Sequence, residues 1–125
     1  LTRKTNHRIA PNPMHELPVS ESILEIALRH AQEAKAKRST DIYLVIGQLS
    51  TIVDDSVQFY WEIIAKGTIA EQAELHFERI PAKMLCLDCN QEYSPGEEFA
   101  CPNCQGMHVK VIAGEEFRMD AIDVV

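Results

Sequence analysis

The chain has 125 residues, with 12 basic and 19 acidic side chains and a formal net charge of −7. This length allows one compact domain with its own core and a small insert. The acidic balance disfavours a non-specific hold on nucleic-acid phosphates, and no apolar run approaches a membrane span or forms a signal-peptide core. We therefore expect a cytoplasmic protein that binds neither nucleic acid nor membrane.

The first segment, residues 1–13 (LTRKTNHRIAPNP), is basic and rich in turn-forming residues. It has no hydrophobic period, which predicts a disordered prefix or tag rather than a part of the fold. Met14 follows this segment directly.

Residues 18–37 are predicted to form an amphipathic helix, because apolar side chains recur at helical spacing and Pro18 suits the first turn. We expect its apolar face to lie in the core rather than against a partner. Residues 41–49 (DIYLVIGQL) are apolar on both faces. This pattern predicts a central strand that is covered on both sides.

A second helix is predicted from Asp54 or Asp55 to about Lys66, where Gly67 ends it. Its apolar and aromatic residues follow helical spacing, and no basic residues interleave with the rings. We therefore expect them to form a core face rather than a platform for a nucleobase. This face comprises Val57, Phe59, Tyr60, Trp61, Ile63 and Ile64.

Residues 73–80 alternate between apolar and polar, which predicts a strand whose wet side carries His76. Residues 109–113 and 116–125 are also predicted to be extended. The order of elements indicates an α+β fold, with two helices packed on a small mixed β-sheet and an inserted four-cysteine zinc-ribbon module. The predicted division is an α+β domain of residues 14–82 and 109–125, and a zinc-binding domain of residues 83–108.

The chain has four cysteines, arranged as two C-x-x-C pairs with eleven residues between them: Cys86, Cys89, Cys101 and Cys104. Paired cysteines at this spacing can direct four thiolates at one tetrahedral Zn²⁺ ion. A disulfide framework and a thioredoxin-like redox motif are weaker alternatives. A site in which His108 replaces one of the four thiolates is another.

The segment around the cysteines has few aliphatic residues, so metal binding must supply the folding free energy that a core cannot. Four thiolates close the coordination shell, which argues against a zinc hydrolase and predicts that the chain is not an enzyme. A zinc-ribbon adaptor in transcription or translation is the alternative function. Such an adaptor would need a basic or aromatic face. Residues 83–110 contain four acidic residues and two basic ones, so they form no positive patch.

A second metal-like pattern, Met14-His15-Glu16, stands directly before the first helix. A His beside a Glu at a helix start is commonly just a solvated pair. If Met14 were the first residue, however, its amine, the next backbone nitrogens and the imidazole could chelate one ion. Such nitrogen and oxygen ligands favour Ni²⁺ or Cu²⁺.

Four features occur together in this sequence. Met-His-Glu-Leu stands at the head of the first helix, and Ile-Gly-Gln-Leu-Ser (residues 46–50) comes at the end of the first strand. Two C-x-x-C pairs come late, and Gly-Glu-Glu-Phe-Arg-Met-Asp-Ala-Ile-Asp-Val begins at Gly114. The combination resembles the HypA/HybF family of nickel-insertion accessory proteins for NiFe-hydrogenase maturation. The resemblance covers residues 14–125.

The resemblance implies a nickel metallochaperone with two metal sites. Met14 (terminal amine), His15 (imidazole and backbone amide) and Glu16 would bind the nickel that is transferred, and the four cysteines would bind a structural zinc. The family works with a GTPase, HypB, and delivers nickel to the hydrogenase large-subunit precursor, and some members also serve urease. The chain would act as a monomer or homodimer.

The chain departs from the family pattern before Met14, where family members begin. As the sequence stands, the Met14 nitrogen is a peptide amide, which is a poorer ligand than an amine. Either residues 1–13 are not native, or nickel binding relies on His15, Glu16 and a further group such as His7, Asp54 or Asp55.

Overall fold

A computed structural model describes residues 1–9 and 16–125 of the chain. The helices are α1 (Glu16–Glu33) and α2 (Asp54–Ile64). The strands are β1 (Thr2–Arg8), β2 (Ser39–Gly47), β3 (Glu74–Ile80), β4 (Lys83–Cys86), β5 (Glu92–Tyr93), β6 (Val109–Ala113) and β7 (Phe117–Val124).

The larger sheet has four strands in the order β1-β7-β2-β3. Strands β2 and β3 are parallel, whereas β7 runs antiparallel to both β1 and β2. The crossover between the two parallel strands carries α2, as parallel pairing requires. This mixed sheet with two helices confirms the α+β prediction.

The core lies between the helices and one face of this sheet. Ile23 of α1, Trp61 of α2 and Ile42 of β2 are almost fully buried there. Each such side chain contributes about 1.5–3 kcal/mol by leaving water. The predicted core faces of both helices are therefore confirmed in their central residues.

Two side chains assigned to the core face of α2 lie outside it. Phe59 and Ile63 are 59% and 57% exposed. They lie on the far side of the helix from Val57 and Trp61, because an 11-residue helix on one sheet face buries a stripe narrower than its apolar residues span. Strand β2 is central as predicted, although Asp41 lies on a half-exposed face.

The prediction of disorder for residues 1–13 is wrong for residues 2–8, which form β1 and pair with β7. The pairing continues to Ile9, whose amide donates to the Phe117 carbonyl at 2.9 Å. The Ile9 side chain is buried. The Thr5 hydroxyl also donates to the Met119 carbonyl at 2.6 Å. Main-chain pairing stabilises β1, so hydrophobic periodicity could not detect it. Residues 10–13 lie outside the described residues.

The smaller sheet has three strands in the order β5-β4-β6 and a separate core. Its buried residues are Met84, Cys86, Tyr93 and Cys101. Strand β6 pairs with β4 along its length, whereas the predicted division placed residues 109–113 with the α+β domain. The insert therefore includes both strands that lead into and out of the cysteine segment.

The two sheets meet where Gly47, Ala82 and Gly114 contact one another. A Cβ atom on Gly47 would lie 2.0 Å from the Gly114 carbonyl oxygen, and one on Gly114 would lie 2.7 Å from the Ala82 Cα. The Leu49 amide donates to that same Gly114 carbonyl at 2.8 Å. Glycine is required at this joint because two backbone segments approach too closely for a side chain.

We expect Gly47→Ala to destabilise the protein by roughly 1–3 kcal/mol or more, because the new methyl group overlaps backbone atoms that cannot move independently. The matched control is Gly96→Ala, since a Cβ there meets nothing within 4 Å. Thermal unfolding monitored by circular dichroism measures both effects. A Gly47→Ala protein with the melting temperature of the Gly96→Ala protein would show that the joint is not tightly packed.

Within residues 1–9 and 16–125, neither helix combines the length and apolar character that crossing a membrane demands.

Candidate metal centre

The two C-x-x-C pairs fold into turns of the same shape. The Asn90 amide donates to the Cys86 carbonyl at 2.9 Å, and the Gln105 amide donates to the Cys101 carbonyl at 2.7 Å. Asn90 and Gln105 both occupy the left-handed region, with φ of 60° and 61°. Each turn reverses the chain directly after its second cysteine, so both sulfurs of a pair point to one side.

The turns bring all four sulfurs together. The Sγ atoms of Cys86 and Cys104 are 3.5 Å apart, those of Cys89 and Cys101 are 3.6 Å apart, and all four lie within 4.8 Å of one another. Four sulfurs at the Zn–S bond length of about 2.3 Å in a tetrahedron are about 3.8 Å apart. A disulfide needs about 2.05 Å, and all four cysteines are free. The geometry fits a tetrahedral metal ion and excludes the disulfide alternative.

Four crowded thiols cannot all ionise without a cation. The Asn103 side-chain amide donates to Cys89 Sγ at 3.6 Å and lowers the pKa of that thiol to about 6. For Cys104, the Gly106 amide lowers the pKa, but the hydrogen bond with Cys86 and burial outweigh it and raise the pKa to about 12. Ionisation of one thiol therefore disfavours ionisation of its neighbours. A bound divalent cation would offset the repulsion among the four thiolates.

The module holds one sulfur of each pair inside. Cys86 and Cys101 are buried against Met84 and Tyr93, whereas Cys104 is exposed. The Tyr93 hydroxyl donates to the Phe99 carbonyl, which ties β5 to the loop that leads into the second turn. The closed side of the cluster is thus packed by the small core, and the open side faces solvent.

His108 does not join the cluster. Its side chain is 70% exposed, and Nδ1 lies 3.3 Å from Asp88 Oδ1. The group of possible ligands at this place consists of the four cysteines. The alternative of three cysteines with His108 therefore has no support in the geometry.

Of the residues predicted to bind nickel, Met14 and His15 lie outside the described residues. Glu16 is the first residue of α1, and its carbonyl accepts a hydrogen bond of 2.8 Å from the Ser20 hydroxyl. Ser20 Oγ also lies 3.3 Å from the Val57 carbonyl in α2. The second turn of α1 thus contacts the first turn of α2.

Asp54, at the start of α2, is already engaged. Arg79 Nη2 lies 2.6 Å from Asp54 Oδ1, and Arg79 also donates to the carbonyls of Gly47 and Ile52. This arginine ties the end of β2, the loop after it and the start of α2 together. Asp54 therefore has a structural role as a partner of Arg79.

An α+β domain joined to a four-cysteine module that fits a tetrahedral ion defines a small metal-binding protein of the zinc-ribbon type. Residues 14–124 match the family described as "Hydrogenase/urease nickel incorporation, metallochaperone, hypA". The chain therefore belongs to the HypA family, as the sequence motifs indicated. Its members are metallochaperones, which handle metal ions for other proteins and are not enzymes.

Curated relatives are named hydrogenase maturation factors HypA or HybF. A hydrogenase maturation factor HypA from Dehalococcoides mccartyi (strain CBDB1) is 44% identical over 112 residues, covering 89% of this chain and 94% of the relative. The hydrogenase maturation factor HybF from Escherichia coli O157:H7 is 37% identical over 112 residues, covering 89% of this chain and 99% of the relative. Both levels of identity and coverage support family membership.

Two solved structures share the fold. One, the solution structure of the nickel metallochaperone HypA from Helicobacter pylori, superposes with a TM-score of 0.65 over 90% of this chain and 98% of that chain. The other, described as the solution structure of HypA protein, has a TM-score of 0.71 over 90% and 97%. Each is 21% identical, so they support the architecture alone.

Proposed function

We propose that this protein binds Ni²⁺ at Met14-His15-Glu16 and delivers it to the large-subunit precursor of a NiFe-hydrogenase in the cytoplasm. The observation that carries the proposal is the family match, which begins at Met14 and extends to residue 124. The family's description includes urease as well as hydrogenase, so a urease precursor is a second possible client. A HypB-type GTPase is the proposed partner in delivery, acting on the monomer or homodimer.

The three proposed nickel ligands supply nitrogen and oxygen, which suit Ni²⁺ better than thiolate-rich sites do. The His15 imidazole is the central ligand, and the Met14 nitrogen and Glu16 complete the group. Glu16 begins α1, where the partial positive charge of the helix terminus already stabilises a carboxylate. This site lies at the start of a helix and has few protein ligands, so it can exchange its ion readily. Delivery of the ion to another protein requires such exchange.

The four cysteines are proposed to hold a resident Zn²⁺ with a structural role. The close approach of the four sulfurs and the small core around Cys86 and Cys101 support this assignment. The ion would neutralise the thiolates and fix both turns. A closed shell of four thiolates retains its metal, in contrast to the proposed nickel site.

The proposal is tested by titrating the zinc-loaded protein with Ni²⁺ in a calorimeter, beside its His15→Ala variant. We expect the variant to lose the nickel site. Equal affinity in the two proteins would show that His15 is not a ligand and would remove the basis for the assigned site.

Nickel affinity is expected to fall as the pH drops below about 6.5, the ordinary imidazole pKa, because only neutral imidazole binds a metal. Below that value the proton competes with Ni²⁺, and the affinity decreases up to about tenfold for each pH unit. Titrations at pH 7.5, 6.5 and 5.5 measure the slope. A constant affinity over this range would exclude histidine as the principal ligand.

A further inference from the structure

A group of three side chains lies on the larger sheet, away from the cysteines and from the start of α1. Asp41 of β2, Glu74 of β3 and His76 of β3 offer ligand atoms that all lie within 4.8 Å of one another. We propose that they form a second site for a divalent first-row transition ion such as Ni²⁺, Co²⁺ or Zn²⁺. One imidazole with two carboxylates suits these ions better than Mg²⁺ or Ca²⁺, which prefer oxygen alone.

The pairing of two parallel strands positions these ligands. Asp41 is paired with Glu74, and Tyr43 with His76, so the ligands come from neighbouring positions on one face. Ile42, which alternates with them along β2, is fully buried in the core beneath the helices. Because successive side chains of a strand point to opposite faces, the three ligands lie on the face opposite the helices.

The distances are close to those that a metal requires. His76 Nε2 lies 2.8 Å from Asp41 Oδ1. Two ligand atoms bound to one ion at about 2.1 Å and at a right angle are about 3.0 Å apart. The pair therefore needs about 0.2 Å of movement to accept an octahedral ion, and about 0.6 Å to accept a tetrahedral one, for which the separation is about 3.4 Å. Glu74 is exposed, so its side chain is free to turn toward the ion.

The imidazole is held in place from one side. The Tyr43 ring stacks on it, with centroids 4.8 Å apart and an interplanar angle of 14°. The Tyr43 hydroxyl in turn donates to Asp123 Oδ2 at 2.8 Å, and Asp123 also accepts a hydrogen bond from Thr2. Contacts of this kind around the ligands fix their orientation before the metal arrives.

Charge and exposure indicate what kind of site this is. Two carboxylates lie beside one imidazole, so the group has a net negative formal charge. The side chains of His76 and Asp41 are 39% and 29% exposed, which leaves room for water to complete the coordination. We therefore expect an open, exchangeable site that is weaker than the four-cysteine site. If His76 and Asp41 formed only an ion pair, Glu74 would contribute nothing to metal binding.

The test uses the full chain with zinc bound, titrated with Ni²⁺ at pH 7.5 and monitored by NMR and calorimetry. Paramagnetic Ni²⁺ is expected to broaden the amide signals of Asp41, Tyr43 and His76. The variants His76→Asn and Glu74→Gln should weaken this binding, the first by roughly tenfold or more. His108→Asn is the matched control, because His108 also pairs with one aspartate but lacks a third ligand.

The results separate this site from the one proposed at residues 14–16. His15→Ala should leave the broadening around His76 unchanged, and His76→Asn should leave binding at His15 unchanged. Unaltered broadening in a folded His76→Asn protein, or no broadening of these signals in the unsubstituted chain, would overturn the proposal. Glu74→Gln provides an independent check, because Glu74 is exposed and its substitution is expected to leave the fold intact.

Discussion

Replacing Cys101 with Ser is expected to unfold the β4-β5-β6 module while the larger sheet and both helices stay folded. The module's own core contains four buried residues, two of which are cysteines of the cluster. Apparent free energies of zinc binding in small domains are about 10–16 kcal/mol, and they are realised as folding free energy. Loss of a thiolate removes most of that stabilisation, which the small core cannot replace.

Hydrogen exchange measured by NMR can check this residue by residue. Amides of β4 and β6 should exchange at nearly the unfolded rate in the Cys101→Ser protein, whereas those of β2 and β7 should stay protected. Met107→Ser is the matched control, since Met107 belongs to the same segment and is largely exposed. A strong chelator added to the unsubstituted protein should give the same pattern as Cys101→Ser. Retained protection in β4 would mean that the module folds without a metal.

The sequence predicts the elements whose side chains alternate between core and solvent. Ile23 and Trp61 follow helical spacing and lie in the core, and residues 41–49 contain a central strand. The assignment of Phe59 to the core face is wrong, because spacing along a helix shows which residues are apolar, not how wide a stripe the sheet covers. The local pattern thus predicts the type of element better than the limits of its buried face.

Strand β1 shows what the local pattern omits. Thr5 and its neighbours carry no hydrophobic alternation, yet the chain from Thr2 to Ile9 follows the edge of β7. The unpaired amides and carbonyls of that edge are the reason, since a polar segment can satisfy them regardless of its side chains. No pattern within residues 1–13 encodes the presence of that edge.

One candidate site follows from local sequence spacing, and the other depends on tertiary contacts. The spacing within each C-x-x-C pair predicts the cysteine cluster, because each turn is local and the metal joins the two. His76 and Asp41 are 35 positions apart and meet only through the parallel register of β2 and β3. Gly47 and Gly114 likewise meet only where the two sheets join. Contacts between segments that are distant in sequence can be identified only from the structure.

A chain that begins at Met14 is expected to bind Ni²⁺ more tightly than the full chain, because its Met14 nitrogen becomes an amine. Both groups must lose a proton to bind a metal, but a terminal amine, with an ordinary pKa of about 7.7–8.0, loses it near neutral pH, whereas a peptide amide does so far less readily. Within the shortened chain, His15→Ala should weaken nickel binding by at least roughly 100-fold, the upper end of what the loss of a supporting contact costs. Calorimetry with zinc already bound measures each affinity.

Shortening the chain also removes β1 from the edge of β7, so a matched control must separate the two effects. A chain that begins at Ala10 lacks β1 but keeps a peptide bond at Met14. If the amine is the ligand, the Ala10 chain should bind nickel as weakly as the full chain, and only the Met14 chain should gain affinity. If the Ala10 chain gains as much, the loss of β1 is responsible and the Met14 nitrogen is not a ligand. A His15→Ala variant that binds as tightly as its Met14 parent would place the nickel elsewhere, and the signals broadened by Ni²⁺ would then identify the residues that bind it.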